Sequence, residues 1–138
     1  MVEVSAHRVA KDTKVSLQVS LGARGHELIS DAQVPDGGSD AGPTPHEILA
    51  GSLAACTSIT VQMYANRKGW SLRSCDVTVR MPESPIEQPE QKQTIFDLTI
   101  SFDGDLSAEQ RARLLEIANR CPVHLALKRP IQIHAIGV

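Results

Sequence analysis

Between Lys14 and Gly22 the chain reads KVSLQVSLG, in which Val15, Leu17, Val19 and Leu21 alternate with polar residues. A period of two places one set of side chains on a single face, so the stretch from Lys14 to about Asp31 predicts extended structure with one buried side. Gly22 and Gly25 flank Ala23 and Arg24. Such a pair of glycines signals a turn, which makes HELIS a second strand and the two together a hairpin. From Pro35 to Pro45, PDGGSDAGPTP carries three Gly and three Pro. This composition predicts a loop.

The pattern then changes period. Thr44 is placed as an N-cap, Pro45 fits the first helical position, and Glu47 three residues after Thr44 completes a capping box. PHEILAGSLAACTSITVQMYANRKGW continues without an internal proline and ends at Arg67, Lys68 and Gly69, a helix C-terminal signature. Apolar or small residues occupy nearly every face between Ile48 and Ile59, so these turns are expected to be buried on all sides. Ala50, Gly51, Ser52, Ala54 and Ala55 would let a neighbouring helix approach closely. So short a chain has little with which to surround such a helix, which points to a partner subunit.

Two further strands are predicted, Leu72 to Met81 with Val77 and Val79, and Gln93 to Phe102 with Ile95, Leu98 and Ile100. The polar, proline-rich PESPIEQPEQK between them reads as a long hairpin loop. Ser107 and Gln110 form a second capping box, opening a helix that turns Leu114, Leu115, Ile117 and Ala118 inward and stops near Arg120. Cys121-Pro122 reads as the N-cap and first position of a short helix, CPVHLAL. PIQIHAIGV then predicts a closing strand with Ile131, Ile133 and Ala135 on one side. Strands and helices come in groups, so the class is α+β.

Composition narrows the functions. With 138 residues, 41% hydrophobic and 22% charged, the chain fits a single domain, 1–138. Trp70, Tyr64, Phe96 and Phe102 are its only aromatic residues, too few for base-stacking platforms, and a net charge of −2 gives no general pull towards nucleic acid or anionic lipid. No uninterrupted apolar run approaches the ~20 residues that cross a bilayer, and no leader is visible, so a cytoplasmic protein without a membrane partner is expected. Cys56, Cys75 and Cys121 are an odd and small number, which points away from a disulfide scaffold and towards thiols that pack or react.

Of the three, Cys121 has the strongest local case for reactivity. An N-cap thiol faces unpaired backbone N–H groups, and Arg120 adds a cation. The alternative is a small buried residue. Cys56 lies deep within the first helix, where position alone favours packing, and nothing around Cys75 suggests activation. Cys121 and His124 lack the further ligands that a zinc site needs, so no metal is expected. GGSDAGP lacks the Lys-Ser/Thr of a phosphate-binding loop, and no G-x-S-x-G is present, so no cofactor is implied.

GPTPHEILAGSLAACTSITVQMYANRKGW, followed by RCPVHLAL and a final strand, resembles the OsmC/Ohr family of thiol-dependent hydroperoxide reductases, in particular its OsmC-like branch. The resemblance covers nearly the whole chain. It implies an OsmC-like fold with two central helices and antiparallel sheets, assembled as an intertwined homodimer with its active sites at the subunit interface. It also implies that Cys56 is the peroxidatic cysteine, attacking an organic hydroperoxide and becoming a sulfenic acid. Cys121 would be the resolving cysteine, whose disulfide with Cys56 is reduced by an external thiol or dithiol. The family reading thus reverses the ranking by position.

Family members hold the thiolate with an Arg from the N-terminal strands and a Glu at the helix start. The resemblance implies Arg24 in GARGHE as the match to the Arg, while its own setting reads equally as a solvated turn residue. The acid follows the helix-opening proline directly in the best-characterised members, where this chain has His46, and Glu47 comes next. At about 100° per residue, Glu47 is roughly 180° from Cys56 on a straight helix and His46 about 80° from it. Glu47 therefore suits the capping box, while a cationic His46 beside Arg24 would not reproduce an Arg–carboxylate pair. This substitution motivates an alternative from another class, a non-catalytic dimer that binds a small apolar ligand at its interface. A general disulfide oxidoreductase is disfavoured by the lack of Cys-x-x-Cys.

Overall fold

Two adjacent residues with positive φ, Arg24 at 52° and Gly25 at 84°, close the hairpin between β2 (Val19–Ala23) and β3 (His26–Ser30) in the computed structural model. A two-residue turn of this hand matches the twist of the strands it joins, and Ala23 stands opposite His26. The structure describes residues 1–9, 16–82, 90 and 93–138. On the other edge of β2 lies β1 (Ser5–Arg8), antiparallel, with Ser5 opposite Gly22. The sequence pattern does not reveal β1, because SAHR is exposed throughout and owes its extended form to ladder hydrogen bonds. The strand expected from Lys14 starts only at Val19. Lys14 and Val15 lie outside the described residues, and Leu17 is 43% exposed, so the alternation does not become a face buried within this chain.

The proline- and glycine-rich loop is tied by Asp31, a buried residue whose carboxylate accepts the N–H groups of Ala32 (2.8 Å), Ser39 (3.0 Å) and Ala41 (3.1 Å). Three backbone donors satisfy a charge that would otherwise be costly to bury. These elements belong to one compact unit, Met1–Leu49, and the second unit is Ala50–Val138. The long helix α1 (Pro45–Lys68) begins in the first and continues into the second.

Both ends of α1 follow the sequence signals. The Glu47 N–H donates to Thr44 Oγ1 (3.3 Å), while Glu47 Oε2 accepts the Thr44 N–H (2.7 Å). At the other end, Gly69 takes φ 69°, its N–H donates to the Asn66 carbonyl (3.1 Å), and the Trp70 N–H donates to that of Ala65 (2.9 Å). This double closure is the Schellman arrangement, which needs a left-handed residue where Gly69 stands.

Burial along α1 is partial within this one chain. Within the single chain only Leu53, Thr57, Val61 and Ala65 are buried, a stripe of spacing four, whereas Ile59 is 59% and Met63 66% exposed. Among the described residues of this chain, burial is complete only along that stripe. By length and composition α1 is also apolar enough to cross a bilayer, which runs against the reading from apolar runs alone. Here it is the core helix of the second unit, with Val61 and Ala65 packed among Leu72, Cys75, Leu114 and Ala118.

The sheet of that unit pairs β4 (Ser71–Arg80) antiparallel with β5 (Asp97–Asp105), setting Cys75 opposite Phe102 and Val77 opposite Ile100. The register shifts at Leu72/Ser74, opposite Gly104. A Cβ on Gly104 would stand 1.9 Å from the Ser71 carbonyl oxygen, and its φ is 150°. Only glycine fits there. Residues 93–96, expected as strand, are not: β5 starts at Asp97 because its partner ends at Arg80, two residues before Pro82, which has no N–H to offer. Most of the expected hairpin loop, residues 83–89 and 91–92, lies outside the described residues.

Ser107 caps α2 (Ala108–Ala118) through the capping box with Gln110. Leu114, Ile117 and Ala118 are buried, but Leu115 is 49% exposed. Residues at i, i+3 and i+4 share a face, and Leu115 lies about 100° off it. α3 (Pro122–Lys128) follows, with Cys121 at its N-cap. The closing strand does not form. Residues 130–138 have no regular structure, and Ile131, Ile133 and Ile136 are 63%, 87% and 91% exposed. A strand exists only through a neighbour's hydrogen bonds, and none is described beside this segment.

Candidate active site

Cys121 is fully buried and extended at the N-cap of α3 (φ −63°, ψ 145°), where its Sγ accepts the His124 N–H at 3.3 Å. The cap inferred from Cys-Pro is therefore present. A second contact comes from α1, whose Thr57 Oγ1 stands 3.6 Å from Cys121 Sγ. Thr57 is also fully buried, and its hydroxyl donates to the Leu53 carbonyl at 2.8 Å. A hydroxyl carries one hydrogen. With that hydrogen on Leu53, the Cys121 S–H is the donor towards Thr57 Oγ1.

Cys56 is half-buried and directly precedes Thr57 in α1. Successive helical residues differ by ~100° and 1.5 Å. Cys56 thus occupies the flank next to the stripe on which Cys121 rests. Cys75, on β4, is buried in the core cluster, with Ser58 Oγ donating to its carbonyl at 2.8 Å. Burial pushes its thiol pKa up from the ordinary 9.0, partly opposed by a hydrogen bond from Ser58, while the Asp76 charge raises it further. A thiol so placed is a packed residue, as its sequence setting suggests.

The other candidates lie in the first unit. Arg24 is exposed in the β2–β3 turn, beside an open cleft of about 740 Å³ lined also by Met1, Glu3, Gly22, His26 and Glu27. No cysteine lines that cleft. His46 and Glu47 are exposed in the first turn of α1, and the Glu47 carboxylate is engaged by the Thr44 N–H. Among the described residues, no group of three or more His, Cys, Asp or Glu is placed to hold a metal ion.

Two features escape the sequence reading. Thr57 carries no motif, and its only signal is that it follows Cys56 in AACTS. Tyr64 gathers three cations, with Arg67, Lys68 and Arg113 at 5.4, 5.7 and 5.5 Å from its ring centroid. Arg113 Nε donates to its hydroxyl at 3.1 Å, the main reason that the phenol pKa is lowered. Trp70 meets the ring edge-on at 5.6 Å.

The class the fold defines is α+β, with an N-capping thiol packed on a long core helix that itself carries a thiol. The chain belongs to the OsmC-like protein family, whose sequence profile matches residues 37–135. Solved structures agree on the fold. An OsmC-like protein from Mycoplasma pneumoniae superposes with a TM-score of 0.73 at 18% identity, covering 93% of this chain and 87% of that one. The organic hydroperoxide resistance protein OhrB of Bacillus subtilis gives 0.57 at 16% identity, covering 93% and 90%. An organic hydroperoxide resistance protein from Legionella pneumophila gives 0.58 at 19%, covering 93% and 89%. No curated protein matches the chain.

Proposed function

We propose that this protein is a thiol-dependent reductase of organic hydroperoxides, a single OsmC-like domain acting as a homodimer in the cytoplasm. The observation that carries the reading is the seating of Cys121 on Thr57, which brings one thiol residue to the helical turn that holds the other. In the first step the Cys56 thiolate attacks the distal peroxide oxygen. The O–O bond breaks, the alkoxide leaves and takes up a proton as the alcohol, and Cys56 becomes a sulfenic acid. In the second, Cys121 attacks the sulfenic sulfur, the S–O bond breaks, and hydroxide leaves with the thiol proton as water. An external dithiol or thiol then reduces the Cys56–Cys121 disulfide by exchange.

By the family resemblance alone, Arg24 is the candidate cation for the peroxidatic thiolate, and His46 stands at the sequence position of the family's acid. The likeness to the OsmC/Ohr family supports a homodimer. The exposed Ile59 and Met63 of α1 and the unpaired tail with Ile131 and Ile133 are apolar surfaces that a second copy would cover.

The reading is tested by peroxide consumption with excess dithiol. Cys56→Ser should abolish turnover of cumene hydroperoxide and Cys75→Ser should keep it, while mass spectrometry of the oxidised protein finds Cys56 joined to Cys121. Equal consumption by wild type and Cys56→Ser would sink the enzymatic claim. A second reading, a non-catalytic dimer binding a small apolar ligand, is favoured by His46 at the acid's position and by the capping use of Glu47. Thiols that stay free after peroxide treatment would select it.

A further inference from the structure

We infer that the Thr57 hydroxyl is a switchable hydrogen-bond partner that stabilises Cys121 as the attacking sulfur, making Thr57 a positioning residue of the resolving step. This inference deepens the two-cysteine reading and rests on it for the identity of the step.

Thr57 and Cys121 are fully buried, so no water shell supplies partners for the sulfur. In the structure Thr57 Oγ1 gives its hydrogen to the Leu53 carbonyl at 2.8 Å, and Cys121 Sγ lies 3.6 Å away. Oγ1 then receives the S–H, and the His124 N–H, at 3.3 Å, faces the sulfur from the other direction. This pattern satisfies a thiol. It does not satisfy a thiolate, because a sulfur without its hydrogen would face the lone pairs of Oγ1.

Rotation about the Cβ–Oγ1 bond of Thr57 removes the conflict without moving a heavy atom. The hydroxyl hydrogen leaves Leu53 and points to Sγ, so the thiolate is held by Thr57 O–H and His124 N–H together. The Leu53 carbonyl is not orphaned, since at four residues' spacing within an α-helix it also accepts the main-chain N–H of Thr57. A hydrogen bond that is optional for the helix thus becomes a charge-assisted bond to sulfur, the stronger kind. When Cys121 attacks the sulfenic sulfur of Cys56, the S–S bond forms, the S–O bond breaks, and the proton released by Cys121 leaves with hydroxide as water. The hydroxyl can then return to Leu53.

The test uses the full-length protein with Cys56→Ser and Cys75→Ser, so that Cys121 is the sole thiol. The ultraviolet thiolate absorbance is read at a fixed pH of about 8.5, near the ordinary thiol midpoint. Adding Thr57→Val, close in shape but without a hydroxyl, should lower the thiolate fraction about threefold to tenfold, and Thr57→Ser should restore it. Thr57→Ala serves as a second hydroxyl-free variant, and circular dichroism checks that each is folded. Equal thiolate fractions in the threonine, valine and alanine proteins would overturn the proposal. So would a serine variant as depleted as the valine one.

In the three-cysteine protein, a single turnover started with cumene hydroperoxide should show sulfenic acid forming at the wild-type rate in Thr57→Val and the disulfide forming about tenfold more slowly. Unchanged disulfide formation would count against Thr57. A wild type that consumes no peroxide but shows the thiolate change would remove the proposed function and leave the Thr57–Cys121 coupling standing, so the two failures are distinguishable.

Discussion

Glu47 and Thr44 bind each other twice, Glu47 N–H to Thr44 Oγ1 and Thr44 N–H to Glu47 Oε2, at 3.3 and 2.7 Å. The reciprocal pair satisfies two donors that the first turn of α1 would otherwise leave open. It also occupies the carboxylate nearest in sequence to the position where the family carries its acid.

Glu47→Gln preserves the capping geometry and removes the charge, so thermal midpoint and peroxide turnover should both stay near wild type. Glu47→Ala should cost about 1 kcal/mol, lowering the midpoint by roughly 3–5 °C. A glutamine variant with an intact midpoint but no turnover would assign the carboxylate to the thiol instead.

Gly104→Ala should be among the most destabilising single changes in the second unit. Its Cβ would overlap the Ser71 carbonyl oxygen, in a backbone region that alanine avoids. The expected cost is at least ~2 kcal/mol, which would move the urea midpoint down by about 1 M. A midpoint within error of wild type would show that the Leu72/Ser74 irregularity is not held by this close approach.

Cys75 supplies the pH dependence. Its folded pKa is raised above the unfolded value, so the unfolded chain loses this proton first. Its contribution to stability is therefore intact below the ordinary value of 9.0 and is lost as pH rises above it through the higher folded value. Urea midpoints measured upward from pH 8 should fall more steeply in wild type than in Cys75→Ala. At neutral pH, iodoacetamide should label Cys75 only as fast as the protein unfolds.

Paired charges on α1 test the proposed dimer. Ile59→Glu with Met63→Glu replaces two exposed side chains one helical turn apart. Light scattering should find a monomer in place of the wild-type dimer, with helical content retained. A variant that remains dimeric would place the interface on another surface.

Much of the local structure was legible because it is encoded within a few residues. Thr44 to Glu47, Ser107 to Gln110, Cys121-Pro122 and the Gly69 stop are short-range donor and acceptor matches, and each stands where its pattern puts it. The segments whose structure departs from their local pattern share the opposite property. SAHR becomes a strand through β2, residues 93–96 lose strand form because β4 has ended, and PIQIHAIGV stays irregular without a described neighbour. Alternation encodes a capacity for pairing, and pairing is decided elsewhere in the chain or in another one.

The candidate chemistry divides in the same way. By itself, the sequence determined the helix-borne Cys56, the capping Cys121 and, through its likeness to OsmC-like proteins, the family. That Cys121 seats on Thr57, that Cys75 is sealed in the core, and which stripe of α1 is buried within its own chain were decided only by the tertiary structure. The physical reason is distance along the chain. Thr57 and Cys121 are 64 positions apart, and no local pattern states which hydroxyl will face a thiol once two helices have packed.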